Sequence, residues 1–354
     1  MFLKRFFSRS MPRLDWIQVE ATSHCNAACI YCPYTVYRKH WLHRHLPFET
    51  YRKLLPVFSR TKLVHLQGWG EPLLNPQFFA MVRLAKEQGC QVGTTTNGTV
   101  LDKEKLTEIV DLGLDIIAFS LAGTNQKNDK IRRGTSLEQI LQDIKILDEL
   151  KRERKTSRPE IHIAYMLLQS GLEDITSLPS LLEGLGVSQV VISTLDFIPS
   201  KGLADEAFAP DPTEIDTLKT YVNRIVAEGD RREVAIHYQI PALEQQSKCT
   251  ENVQQSLFIS SDGGVFPCVF TGLPVSKASL VKNGMEQAYI PLSFGNVNDE
   301  PLSQIWRKKA YKNFRHSFSS GKFAQPCLAC SKRQIFTGET STQLTVADLM
   351  DLLN

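Results

Sequence analysis

The chain contains 354 residues, of which 42% are hydrophobic and 22% are charged, and its formal net charge is +3. This composition is ordinary for a globular protein, and the length suffices for one large domain and a smaller one. The small net charge gives no reason to expect nucleic acid as a partner. No apolar run reaches the length that crosses a bilayer, so we expect no membrane span.

Residues 1–14 are predicted to form an N-terminal extension, in which basic residues are mixed with Phe and Leu. The first nine residues lack a long apolar core, so we expect no signal peptide and a cytoplasmic location. In that compartment, clustered cysteines more often bind metal than form disulfides. The extension is interpreted as a frayed or packed segment, with contact to a membrane surface or a partner as the alternative.

From residue 15 to about residue 200, β-type segments alternate with helical segments. Strands are predicted over residues 15–20, 62–67, 91–96, 116–121, 160–166 and 189–194, and helices over residues 77–88, 103–112, 136–155 and 214–229. This alternation predicts parallel strands joined by crossover helices, with functional residues beyond the carboxyl ends of the strands. A barrel and an open doubly wound sheet are both consistent with it.

Three cysteines lie close together after the first predicted strand, at positions Cys25, Cys29 and Cys32. Three thiolates on one short loop can hold three irons of a cubane iron–sulfur cluster, which leaves the fourth iron open to a small molecule. A closed structural site supplies four ligands, so a set of three indicates chemistry. The alternative is a zinc site that His24 or a distant cysteine completes.

A glycine-rich motif follows the second predicted strand, where residues 68–72 read Gly-Trp-Gly-Glu-Pro. With the cysteine triplet and the aromatic Tyr31 before its last member, this motif resembles the radical S-adenosylmethionine (SAM) superfamily. The resemblance implies an α/β fold with a partial (β/α)6 TIM-type barrel, here over residues 15–225. It also implies that SAM binds the open iron of a 4Fe–4S cluster and is cleaved to a 5′-deoxyadenosyl radical, which abstracts a hydrogen from the substrate.

The same resemblance assigns candidate contacts to SAM within the glycine-rich motif. Backbone groups of this motif contact the SAM amino group in the family, which indicates Gly68, Gly70 and Glu71. Glycine would let the ligand approach closely. Trp69 replaces a usual glycine, and we expect its side chain to point away from SAM or to form a wall of the pocket.

Two further stretches resemble SAM-binding segments of the family. Asn97 belongs to a Thr-Asn-Gly stretch, which is also an ordinary turn sequence. Ser120 and either Arg132 or Arg133 match a stretch in which the serine and an arginine contact the ribose or the carboxylate of SAM. An arginine suits a carboxylate because it can donate two parallel hydrogen bonds. Ala122 stands where aspartate is frequent, so the role of that aspartate is not carried over.

A second group of cysteines lies in the C-terminal part of the chain, at Cys249, Cys268, Cys327 and Cys330. With Phe-Gly-Asn-Val at residues 294–297 and Ile-Trp at residues 305–306, this group resembles the SPASM/twitch auxiliary-cluster domain, here residues 226–345. The resemblance implies a shortened domain with one auxiliary 4Fe–4S cluster, ligated by all four cysteines. Such a cluster has no open iron and suits electron transfer better than substrate binding. The alternative is a structural zinc or cluster site.

The sequence therefore predicts a radical SAM enzyme that abstracts hydrogen from a peptide or a small metabolite, with the auxiliary cluster relaying electrons. The resemblance implies a low-potential electron donor, such as a flavodoxin or a ferredoxin, as the partner. The alternative is a non-catalytic iron–sulfur or zinc protein used in assembly or sensing. Cys90 is predicted to be a buried thiol, and residues 38–45, which contain three histidines, are predicted to form a solvated loop.

Overall fold

The computed structural model describes residues 11–209, 211–241, 249–282, 284–328, 330–333 and 335–336. Residues 1–10 of the predicted extension and residues 337–345 of the predicted C-terminal domain therefore lie outside the described residues. Within the described part of the chain, every helix is too short or too polar to span a bilayer.

The elements are numbered in chain order. The strands are β1 (Leu14–Val19), β2 (Ala28–Cys29), β3 (Thr61–Leu66), β4 (Gln91–Thr96), β5 (Ile116–Leu121), β6 (Arg132–Arg133), β7 (Glu160–Leu167), β8 (Val187–Thr194), β9 (Ala235–Pro241), β10 (Ser256–Ile259), β11 (Gly264–Phe266), β12 (Ser279–Lys282), β13 (Met285–Ala288), β14 (Gly295–Asn296) and β15 (Ile335–Phe336).

The α-helices are α1 (Pro33–Val36), α2 (Phe48–Arg52), α3 (Leu55–Phe58), α4 (Phe78–Glu87), α5 (Lys103–Asp111), α6 (Lys127–Ile131), α7 (Leu137–Arg154), α8 (Leu178–Leu182), α9 (Pro212–Asp230), α10 (Leu302–Arg307), α11 (Lys309–Ser320) and α12 (Gln325–Leu328). Short 3-10 helices cover Arg38–His40, Pro72–Leu74, Gln169–Gly171, Asp174–Ser177, Lys201–Glu206, Val269–Thr271 and Ser331–Arg333.

One large sheet organises the described residues, with the strand order β14-β11-β10-β1-β3-β4-β5-β7-β8-β9-β15. The strands from β10 to β9 in this order run parallel to one another, whereas β11 and β15 pair antiparallel with the two ends of this run. Helices α4, α5, α7, α8 and α9 lie in the connections between successive parallel strands. The parallel sheet with crossover helices confirms the predicted α/β class.

Two parallel strands of the sheet were not predicted from the sequence. Strand β9 extends the sheet beyond β8, and β10 pairs with β1, with Trp16 opposite Ser256. The second pairing brings the C-terminal part of the chain against the first strand. The predicted division between residues 225 and 226 falls inside α9, and a division of the chain into two units remains a proposal.

Side chains of the parallel strands alternate between two environments. On one face, apolar residues such as Val64, Ile117 and Ile163 are fully buried. The other face carries polar side chains, among them His65, whose Nε2 lies 3.2 Å from Thr95 Oγ1. The helices cover the apolar face, so the opposite face is left for polar groups and for ligands.

A single buried carboxylate links three strands at the carboxyl edge of the sheet. Glu20, which follows β1, is fully buried. Its Oε1 accepts a hydrogen bond from the backbone N–H of Trp69 at 2.9 Å, and its Oε2 accepts one from that of Ser261 at 3.0 Å. These donors follow β3 and β10, respectively. Burial raises the pKa of the Glu20 carboxyl above its ordinary value.

We expect Glu20→Ala to lower the free energy of unfolding by about 2–6 kcal/mol, because it leaves the N–H groups of Trp69 and Ser261 without their acceptor at about 1–3 kcal/mol each. Urea denaturation followed by circular dichroism measures the change. Glu49→Ala is the matched control, because Glu49 makes only an exposed ion pair with Arg52, and its loss should stay within about 0.5 kcal/mol. Equal losses in the two variants would contradict the role of Glu20.

Candidate active site

The first cysteine group lies on the loop that follows β1. Cys29 is buried in β2, and Cys25 and Cys32 are half-buried. Strand β2 pairs with β6, which places Cys29 opposite Arg132. The hydroxyl of Tyr34 donates a hydrogen bond of 2.7 Å to the carbonyl oxygen of Cys25. The loop is therefore held on both sides of the cysteines by groups of the chain itself.

The three thiols of this loop are free, and they lie close enough for Cys29 to affect both Cys25 and Cys32 electrostatically. Burial raises the pKa of Cys25 to about 11 and that of Cys32 to about 12, and the nearby Cys29 contributes to both shifts. A thiolate that is buried in this way needs a nearby positive charge to stabilise it, and the iron ions of a bound iron–sulfur cluster supply that charge. No group of three or more His, Cys, Asp or Glu side chains among the described residues is arranged to hold a single metal ion. As three free cysteine thiols on one loop, these donors are of the kind that hold an iron–sulfur cluster.

The glycines of residues 68–72 are required by packing of the chain against itself. A Cβ on Gly70 would lie 2.2 Å from the carbonyl oxygen of Thr22, and one on Gly68 would lie 2.4 Å from Cγ of Glu20. The sequence suggested a different reason, which was close approach of a ligand. The close contact brings the glycine-rich motif directly against the loop of the first cysteines.

Glu71 connects the glycine-rich motif to the end of β4. Its side chain is buried, with Oε1 accepting a hydrogen bond from Thr96 Oγ1 at 2.9 Å and Oε2 accepting one from the backbone N–H of Asn97 at 2.7 Å. The Asn97 side chain in turn donates to Asn26 Oδ1 at 3.0 Å, and its Nδ2 lies 3.8 Å from Cys25 Sγ. Glu71 therefore fixes Asn97 against the cysteine loop.

The structure distinguishes the two candidate arginines. Arg132 is only 5% exposed, whereas Arg133 is exposed to solvent. Arg132 Nη1 donates a hydrogen bond of 2.5 Å to the hydroxyl of Tyr31, while its buried Nε has no partner among the described residues. Ser120 is half-buried at the carboxyl end of β5. Arg132 therefore presents an unused donor at the site, and Arg133 does not.

The second cysteine group also converges. Cys327 is buried, and Cys249, Cys268 and Cys330 are half-buried free thiols. Burial raises the pKa of Cys268 well above its ordinary value, and the three other thiols contribute to the shift. The four cysteines are thus brought together from segments that lie up to 81 residues apart in the sequence. The set fits a cluster that the protein ligates at all four irons.

A buried ion pair lies beside the second cysteine group. Lys332 Nζ lies 2.8 Å from Asp196 Oδ2, and both side chains are less than 10% exposed. The ammonium group of Lys332 also lies 5.2 Å from the centre of the Phe270 ring. Asp196 follows β8, so this pair joins the parallel sheet to the C-terminal segment. Sequence reasoning did not identify it, because its partners are far apart in the chain.

Four aromatic side chains form a wall between the glycine-rich motif and Cys268. This aromatic wall consists of Trp69, Phe197, Phe270 and Tyr289, all half-buried. The centre of the Trp69 ring system lies 5.9 Å from the ring centre of Phe197 and 6.0 Å from that of Phe270. The ring centres of Phe197 and Tyr289 are 6.2 Å apart. Trp69 Nε1 donates to the carbonyl oxygen of Val269 at 3.1 Å. These contacts hold the Trp69 side chain against Val269 and Phe270, and its place relative to SAM stays a prediction.

Comparison with known proteins agrees with this geometry. The model of the radical SAM superfamily matches residues 19–167, and that of the SPASM iron–sulfur cluster-binding domain matches residues 249–331. A tungsten-containing aldehyde ferredoxin oxidoreductase cofactor-modifying protein of Pyrococcus furiosus is 26% identical over 90% of this chain and 88% of its own length. An AdoMet-dependent heme synthase of Methanosarcina barkeri is 24% identical over 92% of this chain and 90% of its own.

The fold has a counterpart among solved structures. Streptococcus suis SuiB bound to S-adenosylmethionine superimposes with a TM-score of 0.64 and 15% identity, over 93% of this chain and 73% of that one. The chain belongs to the radical SAM superfamily, and it is an enzyme that binds a 4Fe–4S cluster and SAM in a partial barrel and auxiliary iron–sulfur in a SPASM domain.

Proposed function

We propose that the enzyme uses its two cysteine groups for different tasks. Cys25, Cys29 and Cys32 hold the cluster that binds SAM, and the four C-terminal cysteines hold one auxiliary 4Fe–4S cluster that relays electrons. When bound, the first cluster and SAM supply a 5′-deoxyadenosyl radical that takes a hydrogen atom from the substrate. The observation that carries this proposal is the convergence of three free thiols at the carboxyl edge of the sheet, beside a buried arginine with an unused donor.

In this proposal, the residues around the triplet bind and orient SAM. Arg132 donates from Nε to the SAM carboxylate, and the Tyr31 hydroxyl holds the guanidinium in place. Ser120, near the carboxyl end of β5, and Asn97, directly after β4, also contact SAM in this proposal. The backbone of Gly68 and Gly70 forms one edge of the pocket. Glu71 is a positioning residue, because its oxygens are already used by Thr96 and Asn97.

For the substrate, we propose a small planar conjugated molecule, such as a cofactor precursor, held against the aromatic wall. Aromatic rings stack favourably on flat π-systems, and the half-buried ring of Trp69, which packs against Phe197 and Phe270, donates to Val269, the residue after Cys268. The names of the two relatives described above also refer to a modified cofactor and to heme. A low-potential donor such as a flavodoxin or ferredoxin, in the cytoplasm, completes this proposal.

The first test of the proposed function is SAM cleavage by the reconstituted enzyme under anaerobic conditions. With SAM and dithionite, the enzyme should release 5′-deoxyadenosine, and a planar substrate should accelerate that release. Metal content without SAM cleavage under any reductant would instead support a non-catalytic iron–sulfur protein. Metalloporphyrin, pterin and peptide probes distinguish the substrate classes, because acceleration by the peptide alone would contradict a planar substrate.

We expect Trp69→Leu to weaken binding of the planar probe by about 5–150-fold, because stacking on an aromatic ring contributes about 1–3 kcal/mol and each 1.4 kcal/mol is a factor of ten. Titration of the probe under anaerobic conditions, followed by its absorbance, measures the dissociation constant. Phe79→Leu is the control, because Phe79 is a half-buried aromatic residue on α4, outside the aromatic wall. Equal affinities of the Trp69→Leu variant and the unmodified enzyme would contradict the role of the wall.

A further inference from the structure

A basic surface covers the outer side of the first cysteine loop. Residues 33–46 contain Arg38, Lys39, Arg44 and three histidines, but no Asp or Glu. Arg38, Lys39 and His40 are exposed, and so are the apolar side chains of Val36 (37%) and Leu42 (38%). These five residues and Lys277 are named the basic face.

Lys277 belongs to this surface through backbone pairing. Trp41 forms an antiparallel β-bridge with Val275, and the backbone N–H of Ser276 donates to the carbonyl oxygen of His40 at 3.0 Å. The exposed Lys277 follows directly in the chain. Arg44 is paired with Asp262 at 3.0 Å, whereas Arg38, Lys39 and Lys277 make no ion pair among the described residues. Their charges are therefore available to a partner.

The basic face lies one layer of side chains away from the cysteine loop. Arg38 lies over the ring of Tyr34, 5.6 Å from its centre, and the Tyr34 hydroxyl bonds to the carbonyl oxygen of Cys25. The ring of Trp41 packs edge-on against Tyr34 at 5.3 Å, and its Nε1 donates to the carbonyl oxygen of Ser23. Tyr34 and Trp41 therefore connect this face directly to the backbone of the cysteine loop.

The shape of the face suits a docking protein. A shallow depression of about 420 Å³ is lined by Thr35, Val36, Arg38, Lys39 and His40. An interface commonly has an apolar centre and a polar rim, and here the exposed Val36 and Leu42 lie among cations. Complementary charge speeds encounter and sets orientation. The exposed apolar side chains among cations therefore favour a protein partner with an acidic surface.

We propose that the basic face docks an acidic electron-carrier protein of the flavodoxin or ferredoxin class, which delivers an electron to the site at Cys25, Cys29 and Cys32. This inference rests on the proposed function, which requires a reductant. One electron leaves the reduced carrier and enters the cluster, so the carrier is oxidised and the cluster reduced, without any bond being formed. The family resemblance implies the class of the donor, whereas the face locates its docking site.

The test compares carrier binding with chemistry driven by a small reductant. Calorimetric titration of the reconstituted enzyme with a purified acidic flavodoxin measures the dissociation constant at low and at moderate salt. We expect Lys39→Glu/Lys277→Glu to raise this constant at least tenfold and Leu42→Ala to raise it severalfold, and salt to weaken binding by the unmodified enzyme. Release of 5′-deoxyadenosine with dithionite should remain unchanged, because dithionite needs no docking surface.

The matched control is Lys309→Glu/Lys312→Glu, which reverses two exposed charges on α11. It should bind flavodoxin as the unmodified enzyme does. Unchanged flavodoxin affinity in the Lys39→Glu/Lys277→Glu variant, or an equal loss of affinity in the control, would overturn the inference. A shift of the Lys39→Glu/Lys277→Glu variant from dimer to monomer would also overturn it, because the face would then be a self-association surface. Failure of the proposed function would look different, because dithionite and SAM would then yield no 5′-deoxyadenosine at all.

Discussion

Cys29→Ala is expected to abolish SAM cleavage and to reduce the iron content from about eight to about four atoms per chain, since each 4Fe–4S cluster holds four irons. Cys29 is buried in β2, between Cys25 and Cys32, and its loss leaves only two thiolates on the loop. Iron and sulfide analysis measures the first effect. Release of 5′-deoxyadenosine with dithionite measures the second.

Two cysteine variants serve as controls for this prediction. Cys90→Ala should keep both clusters and full activity, because the buried Cys90 thiol only donates to the carbonyl oxygen of Phe58 at 3.1 Å. Cys268→Ala should lose the auxiliary cluster and retain SAM cleavage in the absence of substrate. Full SAM cleavage by the Cys29→Ala variant would refute the assignment of the triplet.

Arg132→Ala is expected to raise the dissociation constant of SAM by about 10–150-fold. Hydrogen bonds to a charged group contribute about 1.5–3 kcal/mol, and each 1.4 kcal/mol corresponds to a factor of ten. Equilibrium binding of labelled SAM to the reconstituted enzyme measures the change. Arg132→Lys should restore only part of the affinity, because an ammonium group cannot reproduce the planar guanidinium.

Arg133→Ala is the matched control, because Arg133 is the adjacent arginine and is exposed. It should bind SAM with unchanged affinity. Iron content must stay the same in all three variants, since β6 also supports Cys29 through its pairing with β2. An affinity loss in Arg133→Ala that equals the loss in Arg132→Ala would contradict the inward role of Arg132.

The parallel strands that neighbouring helices connect could be predicted from the sequence, whereas strand β10 could not. Strands β1, β3, β4, β5, β7 and β8 each form within two residues of the predicted bounds, because each belongs to a regular alternation of β-type and helical segments in the sequence. Strand β10 has four residues, all buried, and pairs with β1 across more than 230 residues of sequence. A short run without alternation carries no local signal for such a distant partner.

The cysteine spacing predicted a metal or cluster with an open ligand position, and the family resemblance implied the SAM chemistry, but neither predicted the contacts that support the site. The position of Arg132 depends on the register of β2 against β6, and that of Trp69 depends on its contacts with Phe270 and Val269. The structural role of Glu20 was not predicted. A lone acidic residue at the end of a strand does not show that two distant N–H groups donate hydrogen bonds to it. Long-range hydrogen bonds and packing decide these positions.

Mössbauer spectroscopy of the enzyme reconstituted with ⁵⁷Fe tests the central assignment most directly, with spectra taken before and after SAM is added. If Cys25, Cys29 and Cys32 leave one iron without a protein ligand, SAM should shift the signal of one iron among eight and leave the auxiliary cluster unchanged. Cys29→Ala should remove that signal. Spectra that SAM does not change, or a triplet that holds zinc, would contradict the account.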